Sequence, residues 1–188
     1  EKPEWLQDVT SKLGQSVIRS INNSVAVTST SLFSVGLLTS STQSMSEDEL
    51  VEKINFLISL IEASSDYKDV WITQREVKDM ISKTEKLGFI EPTLIASKKV
   101  YRPTSDEVAT LSFYKNNITH LFILYSLICE SLKFVKKASK EEIVKLIVMI
   151  YPVFAKDFHL KNEIITQKSV REAIDILENK GILIADDD

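Results

Sequence analysis

Apolar residues recur at helical spacing along most of the chain. Over the first twenty positions they are Trp5, Leu6, Val9, Leu13, Val17 and Ile18. This stripe predicts a helix over residues 3–20. Residues 24–44 are rich in serine and threonine but still carry large apolar groups such as Phe33 and Leu37. We therefore expect a buried helix there, although the alternation of Val25 and Val27 also fits a strand.

Further helices open on recognisable N-terminal signals. The pattern of a capping box, a hydroxyl residue followed three positions later by glutamate, occurs at Ser46/Glu49, Thr73/Glu76 and Ser139/Glu142. Thr166 and Ser169 start a last helix. Gly88 and Gly181 are expected to end the helices that open at Thr73 and Thr166.

Proline and short apolar pairs set the remaining breaks. Residues 89–101 predict a short β-hairpin with its turn near Pro92. Helices are predicted over 105–116 and 118–135. Pro152 should kink or end the helix that begins after Ser139.

Several of these signals return 93 positions later. Ile72-Thr73-Gln74-Arg75 returns as Ile165-Thr166-Gln167-Lys168, and the Ser46 box returns at Ser139. With one residue of slippage, Asn22-Asn23 matches Asn116-Asn117, each pair opening an apolar helix. This pattern predicts repeated units near 20–91 and 113–184. The alternative is that any two capped amphipathic helices look alike, because caps and stripes use few residue types.

Composition favours helix over a many-stranded sheet, since the chain has only four glycines and four prolines. The predicted fold class is mainly α: a helical bundle of two related three-helix units with short β-hairpin or wing-like strands. A winged-helix-like interaction or nucleic-acid-binding module is the alternative interpretation. Its third helix would span 74–87 or 167–180, where acidic residues offset the basic ones. With a net charge of -4 in addition, no nucleic-acid partner is expected.

The chain offers no pattern typical of a reactive centre. His120 and His159 each lack a nearby second histidine or cysteine, so no metal site is predicted. There is no glycine-rich phosphate loop, no nucleophile–base spacing, and therefore no expected cofactor. The acidic end, 186–188, is expected to be solvated. Cys129 is the single cysteine, which excludes a disulfide within the chain and predicts a small buried apolar residue.

The most apolar stretch, residues 118–129, is about a dozen residues long, against the ~20 of a transmembrane helix. It contains His120. We expect a soluble segment with no transmembrane helix. The opening residues do not resemble a signal peptide and predict a boundary inside a longer protein.

Five passages occur together in a specific order. They are Trp5-Leu6, Ile21-Asn22-Asn23, Phe113-Tyr114-Lys115-Asn116-Asn117-Ile118-Thr119-His120, Tyr151-Pro152 and Gly181-Ile182-Leu183. This order resembles the region that follows the catalytic domain in glycerol-3-phosphate acyltransferases. The family's catalytic element is His-x-x-x-x-Asp, but Tyr125 and Ile164 stand five residues after the two histidines. The resemblance therefore implies a segment that is not itself an enzyme, within a parent protein that is.

The resemblance also implies partners and a location. The parent would transfer an acyl group from acyl-CoA or acyl-carrier protein to glycerol 3-phosphate, and form lysophosphatidate for phospholipid synthesis. The segment would pack on the upstream catalytic domain. The parent would be membrane-associated at the cytoplasmic face.

Six residues are candidates for structural or domain-interface roles under this interpretation. They are Asn22, Asn23, Tyr114, Asn116, Asn117 and His120. Helix capping and core packing are the alternative explanation for all of them, because asparagine at a helix start routinely caps it.

Overall fold

The fold is mainly α-helical. A computed structural model describes residues 3–135, 137–158, 160 and 164–184, without the side chains of Arg19 and Asn23. The α-helices are α1 Trp5–Asn23, α2 Ser29–Leu38, α3 Glu47–Ala63, α4 Val77–Lys86, α5 Val108–Thr119, α6 Ile123–Val135, α7 Lys140–Asp157 and α8 Gln167–Asn179. The strands are β1 Ala26–Val27, β2 Met45–Ser46, β3 Trp71–Ile72, β4 Ile90–Ile95 and β5 Lys98–Pro103. Short 3₁₀ turns occupy Ser65–Tyr67, Ser105–Glu107 and His120–Phe122.

The chain divides into two compact units. The first comprises residues 1–25 and 122–188, and the second comprises residues 26–121. The repeated units near 20–91 and 113–184 are a different division of the chain, and the duplication stays a prediction.

Helix α2 lies at the centre of the second unit, where it packs against α3, α4 and α5. Residues 31–37 of this helix are all buried. Two of its buried serines bond to backbone carbonyls of the helix or its N-cap: Ser34 Oγ donates to Thr30 O at 2.7 Å, and Ser31 Oγ donates to Thr28 O at 2.9 Å. Gly36 allows a close approach, because a Cβ there would lie 3.2 Å from Leu50 Cδ1. The expected buried helix is present.

Two small sheets complete the second unit. β1 and β3 pair in parallel, and the expected strand character around Val27 is therefore also present. β2, β5 and β4 form an antiparallel sheet in that order. The order of the main elements is α2, β2, α3, α4 and the β4–β5 hairpin, and β5 pairs with β2. This is the winged-helix-like arrangement that the sequence suggests.

The hairpin differs from its prediction in the position of the turn. β4 runs straight through Pro92, which pairs with Tyr101, and the chain reverses at Ala96 and Ser97. Both turn residues have positive φ, 48° and 64°. Pro92 is tolerated because β4 is an edge strand, where a missing N–H breaks no ladder.

In the first unit, α6, α7 and α8 pack against one another. Ile128, Ile147 and Val170 are fully buried in this core. Cys129, on α6, is half-buried rather than buried, and burial raises the pKa of its thiol. Two ion pairs join α7 to α8: Lys140 Nζ lies 2.7 Å from Glu178, and Arg171 lies 2.8 Å from Glu141.

Helix ends agree with the sequence in most places. Ser46 and Ser139 each form the expected capping box, and Thr166 caps α8 by accepting from Ser169 N–H at 3.1 Å. The expected box at Thr73 is wrong. Thr73 N–H extends the β1–β3 pairing by donating to Val27 O at 3.0 Å, and α4 begins only at Val77.

Three other expectations are wrong in detail. Asn22 and Asn23 end α1 rather than open a helix, and Thr28 caps α2 instead. Asn116 and Asn117 lie near the end of α5, which continues to Thr119. Of the two outcomes expected at Pro152, a kink or the end of the helix, the second is wrong, because α7 runs through Pro152 to Asp157.

One helical run, residues 105–135, is long and apolar enough to cross a membrane by length and composition. Of its most apolar stretch, 39% is buried inside the structure. Core helices of soluble proteins pass the same test, so this is weak evidence for a membrane span.

Candidate functional site

The second half of α5 carries three of the six candidate residues, and a fourth, His120, follows it directly in the 3₁₀ turn. Tyr114 and His120 are half-buried, whereas Asn116 and Asn117 are exposed. On a helix with 3.6 residues per turn, positions 113, 116, 117 and 120 fall within a sector of about 100°. Asn116, Asn117 and His120 therefore share one face, which we call the α5 face.

Phe113 belongs to the α5 face, and sequence reasoning did not single it out as a site residue. Its side chain is 64% exposed. It makes an edge-on contact with Tyr114, with ring centroids 5.8 Å apart, and Tyr114 in turn lies 5.9 Å from Phe89. An exposed aromatic ring held in place by its neighbours is a feature of many binding surfaces. The periodicity of α5 alone does not distinguish Phe113 from a core residue.

Asn22 and Asn23 belong to the other compact unit, so they do not join the α5 face within one unit. Asn22 Nδ2 donates to Phe158 O at 3.2 Å and thereby ties the end of α1 to the end of α7. This contact is structural. The side chain of Asn23 lies outside the described residues.

Helix α1 exposes its apolar stripe. The exposed fractions of Trp5, Leu13 and Ile21 are 61%, 62% and 63%, and those of Val9 and Val17 are 49% and 50%. These residues follow one another at intervals of four, so they form a continuous band along α1. We call this band the α1 face. A contiguous exposed apolar surface of this kind typically marks an interaction site.

A polar cluster joins the hairpin to α3 and α4. Lys99 Nζ donates to the hydroxyl of Tyr101 at 3.0 Å, and this hydroxyl lies 3.4 Å from Glu85 and 3.5 Å from Glu47. Burial raises the pKa of the Tyr101 hydroxyl, and the hydrogen bond between Lys99 and Tyr101 raises the pKa of the Lys99 ammonium. The groups satisfy one another, so the cluster anchors the hairpin. No spacing in the sequence predicts it, because its members come from three separate elements.

The geometry gives no sign of a reactive centre in the described part of the chain. His120 lies at the end of α5, and five residues later stands the buried Tyr125. His159 lies outside the described residues, as does the acidic end 186–188. Among the residues that can be searched, no group of three or more His, Cys, Asp or Glu side chains could hold a metal ion.

An open groove of about 570 Å³ runs along α8. It is lined by both basic residues, Lys168 and Arg171, and acidic residues, Glu172 and Asp175. Arg171 is already paired with Glu141 at 2.8 Å. This mixture favours neither an anion nor a cation.

Comparison with known proteins identifies the family. The sequence profile of the glycerol-3-phosphate acyltransferase C-terminal region matches residues 1–188. The chain belongs to this family. The match covers the α1 face and the α5 face together, so both surfaces are parts of an acyltransferase C-terminal region.

Three relatives carry the name glycerol-3-phosphate acyltransferase. The protein of Alteromonas mediterranea is 31% identical over 85% of this chain and 20% of its own length. That of Hamiltonella defensa subsp. Acyrthosiphon pisum is 26% identical over 96% of this chain and 22% of its own length. That of Pseudoalteromonas atlantica is 27% identical over the whole chain and 23% of its own length. The chain thus spans about a fifth of the length of the relatives it matches.

Proposed function

We propose that this chain is the non-catalytic helical scaffold of a glycerol-3-phosphate 1-O-acyltransferase. The observation that carries the proposal is a family match over residues 1–188 in a chain without a His-x-x-x-x-Asp sequence. In that motif the carboxylate orients an imidazole that deprotonates the acceptor hydroxyl. Here Tyr125 and Ile164 stand at the positions where such a carboxylate would lie.

The parent enzyme would take its acyl group from acyl-CoA or acyl-carrier protein. It would form lysophosphatidate for phospholipid biosynthesis and act at the cytoplasmic face of a membrane. The three relatives support the acyltransferase part of this proposal by their names. Purified chain 1–188 should show no turnover of acyl-CoA with glycerol 3-phosphate, and measurable turnover would contradict the scaffold role.

The α1 face is the surface that we assign to the upstream catalytic domain. Its support is the exposure of Leu13, at 62%, in a family whose members continue for about four-fifths of their length beyond this region. Burial of a side chain of this size stabilises an interface by roughly 1.5–3 kcal/mol. Helix α1 is the element closest in sequence to the preceding catalytic domain, so that domain is the expected partner of its apolar band.

A charge on the α1 face tests this interface. In the full-length protein, Leu13→Asp should lower acyltransferase activity and speed limited proteolysis between the domains, because it places a carboxylate in the apolar contact. Ser11→Asp is the matched control, since Ser11 lies about 160° away on the polar side of the same exposed helix. Equal effects of the two substitutions would exclude the α1 face as the interface.

The α5 face supplies a second assignment, with Asn116, Asn117 and His120 as interface residues beside Phe113. Replacing both asparagines by alanine should leave folding unchanged, because both are exposed, and should reduce activity of the full-length enzyme. Asn55→Ala provides the control of the same residue type, exposed on α3 in the same unit. Activity equal to that of the control would assign the asparagines to helix structure alone.

The duplication of the chain is a further part of the proposal. The same offset of 93 residues supports it twice. It separates the starts of α3 and α7, at residues 47 and 140, and the ends of α4 and α8, at residues 86 and 179. Gly88 and Gly181 support it with positive φ values of 78° and 69°. A search for the same offset across relatives would test it, and an offset absent from them would contradict common origin.

A stand-alone interaction module is the second candidate, favoured by the strand order β2-β5-β4. Two basic residues of β5 are already paired, Lys99 with Glu85 at 3.8 Å and Arg102 with Glu91 at 2.8 Å. This pairing leaves less positive charge for a phosphate backbone. Salt-dependent binding of duplex DNA by chain 1–188 would favour this candidate over the scaffold.

A further inference from the structure

The β4–β5 hairpin has a buried root and an exposed apolar tip. At the root, Ile90 and Tyr101 are 2% and 1% exposed. At the tip, Leu94 and Ile95 are 75% and 57% exposed, and residues 92–99 are all exposed. An edge-strand tip ordinarily carries polar residues that protect it from aggregation. Leu94 and Ile95 are neighbours on β4 and therefore point to opposite faces of the hairpin, so both sides of its tip are apolar and exposed.

The root holds the tip in a fixed conformation. Six residue pairs run from Ile90↔Pro103 to Ile95↔Lys98. The central strand, β5, is joined to β2 on its other side and to α3 and α4 through the hydroxyl of Tyr101. The tip is therefore a strand-paired projection of the sheet and not an unpaired loop.

The charges around the tip are positive. Cross-strand pairing puts Lys99 opposite Leu94 and Lys98 opposite Ile95. Lys98 forms no salt bridge within the described ranges, although its charge, after the hydrogen bonds from Ser46, helps to lower the pKa of Glu49. Lys99 belongs to the polar cluster with Tyr101 and Glu85, so Lys98 is the ammonium group that the tip presents.

The carboxylates near the hairpin are engaged with other groups. Glu91 binds Arg102 at 2.8 Å, Glu85 lies 3.8 Å from Lys99, and Glu49 accepts from Ser46 at 2.6 Å. The tip thus combines exposed aliphatic side chains with the ammonium group of Lys98. This is the combination that inserts into a bilayer interface, where apolar groups enter the acyl boundary and lysines meet anionic headgroups.

We propose that the hairpin tip, Leu94 to Lys98, is a peripheral contact with an anionic lipid bilayer. This goes beyond the scaffold function, because it assigns a membrane surface to this chain's own residues and not to the parent enzyme as a whole. Nucleic acid fits the tip less well, because phosphates contact polar and basic side chains and two aliphatic groups would remain in water. The contact is weak alone, since stable anchoring takes a second membrane signal.

Vesicle co-sedimentation of chain 1–188 tests the proposal. The probes are phosphatidylcholine vesicles with and without phosphatidylglycerol. We expect binding to the anionic vesicles and a loss of roughly tenfold or more in Leu94→Asn/Ile95→Asn, since two aliphatic groups leave the acyl boundary. Lys98→Glu should weaken binding only to the anionic vesicles.

Two control variants separate the tip from other apolar surfaces. Met149→Asn/Val153→Asn removes two apolar residues of α7 that are 70% and 64% exposed. This variant should bind vesicles as well as the unsubstituted chain 1–188 does. Leu13→Asn/Val17→Asn does the same for the α1 face. Circular dichroism verifies that each variant is folded.

Several outcomes would overturn the proposal. They are absence of vesicle binding by the unsubstituted chain 1–188, unchanged binding by Leu94→Asn/Ile95→Asn, an equal loss of binding in the α7 control, and a loss of binding confined to the α1 variant. Binding of duplex DNA that Lys98→Glu abolishes, without vesicle binding, would assign the tip to nucleic acid instead. Because the readout is lipid binding, these results are independent of whether the parent transfers acyl groups.

Discussion

Two glycines end their helices in the same way. Gly88 N–H donates to Glu85 O at 2.9 Å, and Phe89 N–H donates to Thr84 O at 3.3 Å. Gly181 donates to Glu178 O at the same distance of 2.9 Å. This hydrogen-bond pattern needs a left-handed residue, and both glycines have φ near +70° to +80° as it requires.

Alanine at these glycines should destabilise the fold although the space is empty. A Cβ at Gly88 or Gly181 would meet nothing within 4 Å. We expect each substitution to lower the free energy of unfolding by about 1 kcal/mol, because a side chain is disfavoured in the left-handed region. Gly14→Ala is the control: it lies inside α1, also with open space, and should raise the free energy by about 0.5–1 kcal/mol. Urea unfolding of the three variants measures the difference in sign.

The two serine capping boxes should depend on pH. Hydrogen bonds from Ser46 lower the pKa of Glu49, and those from Ser139 lower the pKa of Glu142. A carboxylate with a lowered pKa stabilises the fold above its unfolded pKa, and this contribution is lost as the pH falls through the lowered value.

Ser46→Ala should therefore destabilise the chain by about 1 kcal/mol at neutral pH and by less at pH values below the glutamate range of about 4. Ser139→Ala should behave in the same way. Urea titrations at the two pH values give the comparison. A substitution cost that grows on acidification would contradict the assigned role of the carboxylates.

At the scale of elements, the hairpin turn illustrates what the sequence hides. Two-residue turns of this geometry favour Asn-Gly, whereas this chain has Ala96-Ser97. Pro92 carries the stronger turn signal, but the edge position of β4 removes its usual effect. The sequence therefore predicts that a hairpin exists and misplaces its turn.

Replacing Ala96-Ser97 by Asn-Gly should stabilise the hairpin. Both positions have positive φ, which costs an alanine or serine roughly 1 kcal/mol or more and costs glycine nothing. We expect higher hydrogen-exchange protection for the amides of β4 and β5. Exchanging Lys98 for Gln leaves the turn backbone unchanged and should not produce this gain.

The helices were more predictable than the places where they begin. Local signals at Ser46, Ser139 and Thr166 lie within four residues of the groups they satisfy, so spacing reveals them. Thr73 fails because its backbone pairs with Val27, a contact between residues far apart in sequence. The same reason explains why the sequence did not predict the exposed α1 face. Its exposure depends on which helices pack together, and the spacing of apolar residues carries no information on that.

At the scale of the molecule, the two compact units each have a core of their own. Ile54 and Ile147 stand 93 positions apart and are both fully buried, one in each unit. Removing such a side chain to alanine typically costs 2–5 kcal/mol. Local cooperative blocks of a protein often open separately in hydrogen exchange.

Ile54→Ala should accordingly lower hydrogen-exchange protection mainly over residues 26–121, and Ile147→Ala mainly over residues 1–25 and 122–188. The two variants act as controls for each other because the residue type and the burial are the same. Loss of protection across the whole chain in either variant would show that the units unfold as one block.

Gly36, the residue of α2 that lies against Leu50 of α3, has a consequence for the evolution of the family. With 3.2 Å between a Cβ at position 36 and Leu50 Cδ1, a side chain at position 36 requires Leu50 to shift by a few tenths of an ångström, which couples the sizes of the two residues. Relatives with alanine or serine at position 36 should carry a shorter side chain at position 50, so the pair should covary. Gly36→Ala should therefore be better tolerated beside Leu50→Val than beside Leu50, and urea unfolding of the two single variants and the double variant measures this coupling.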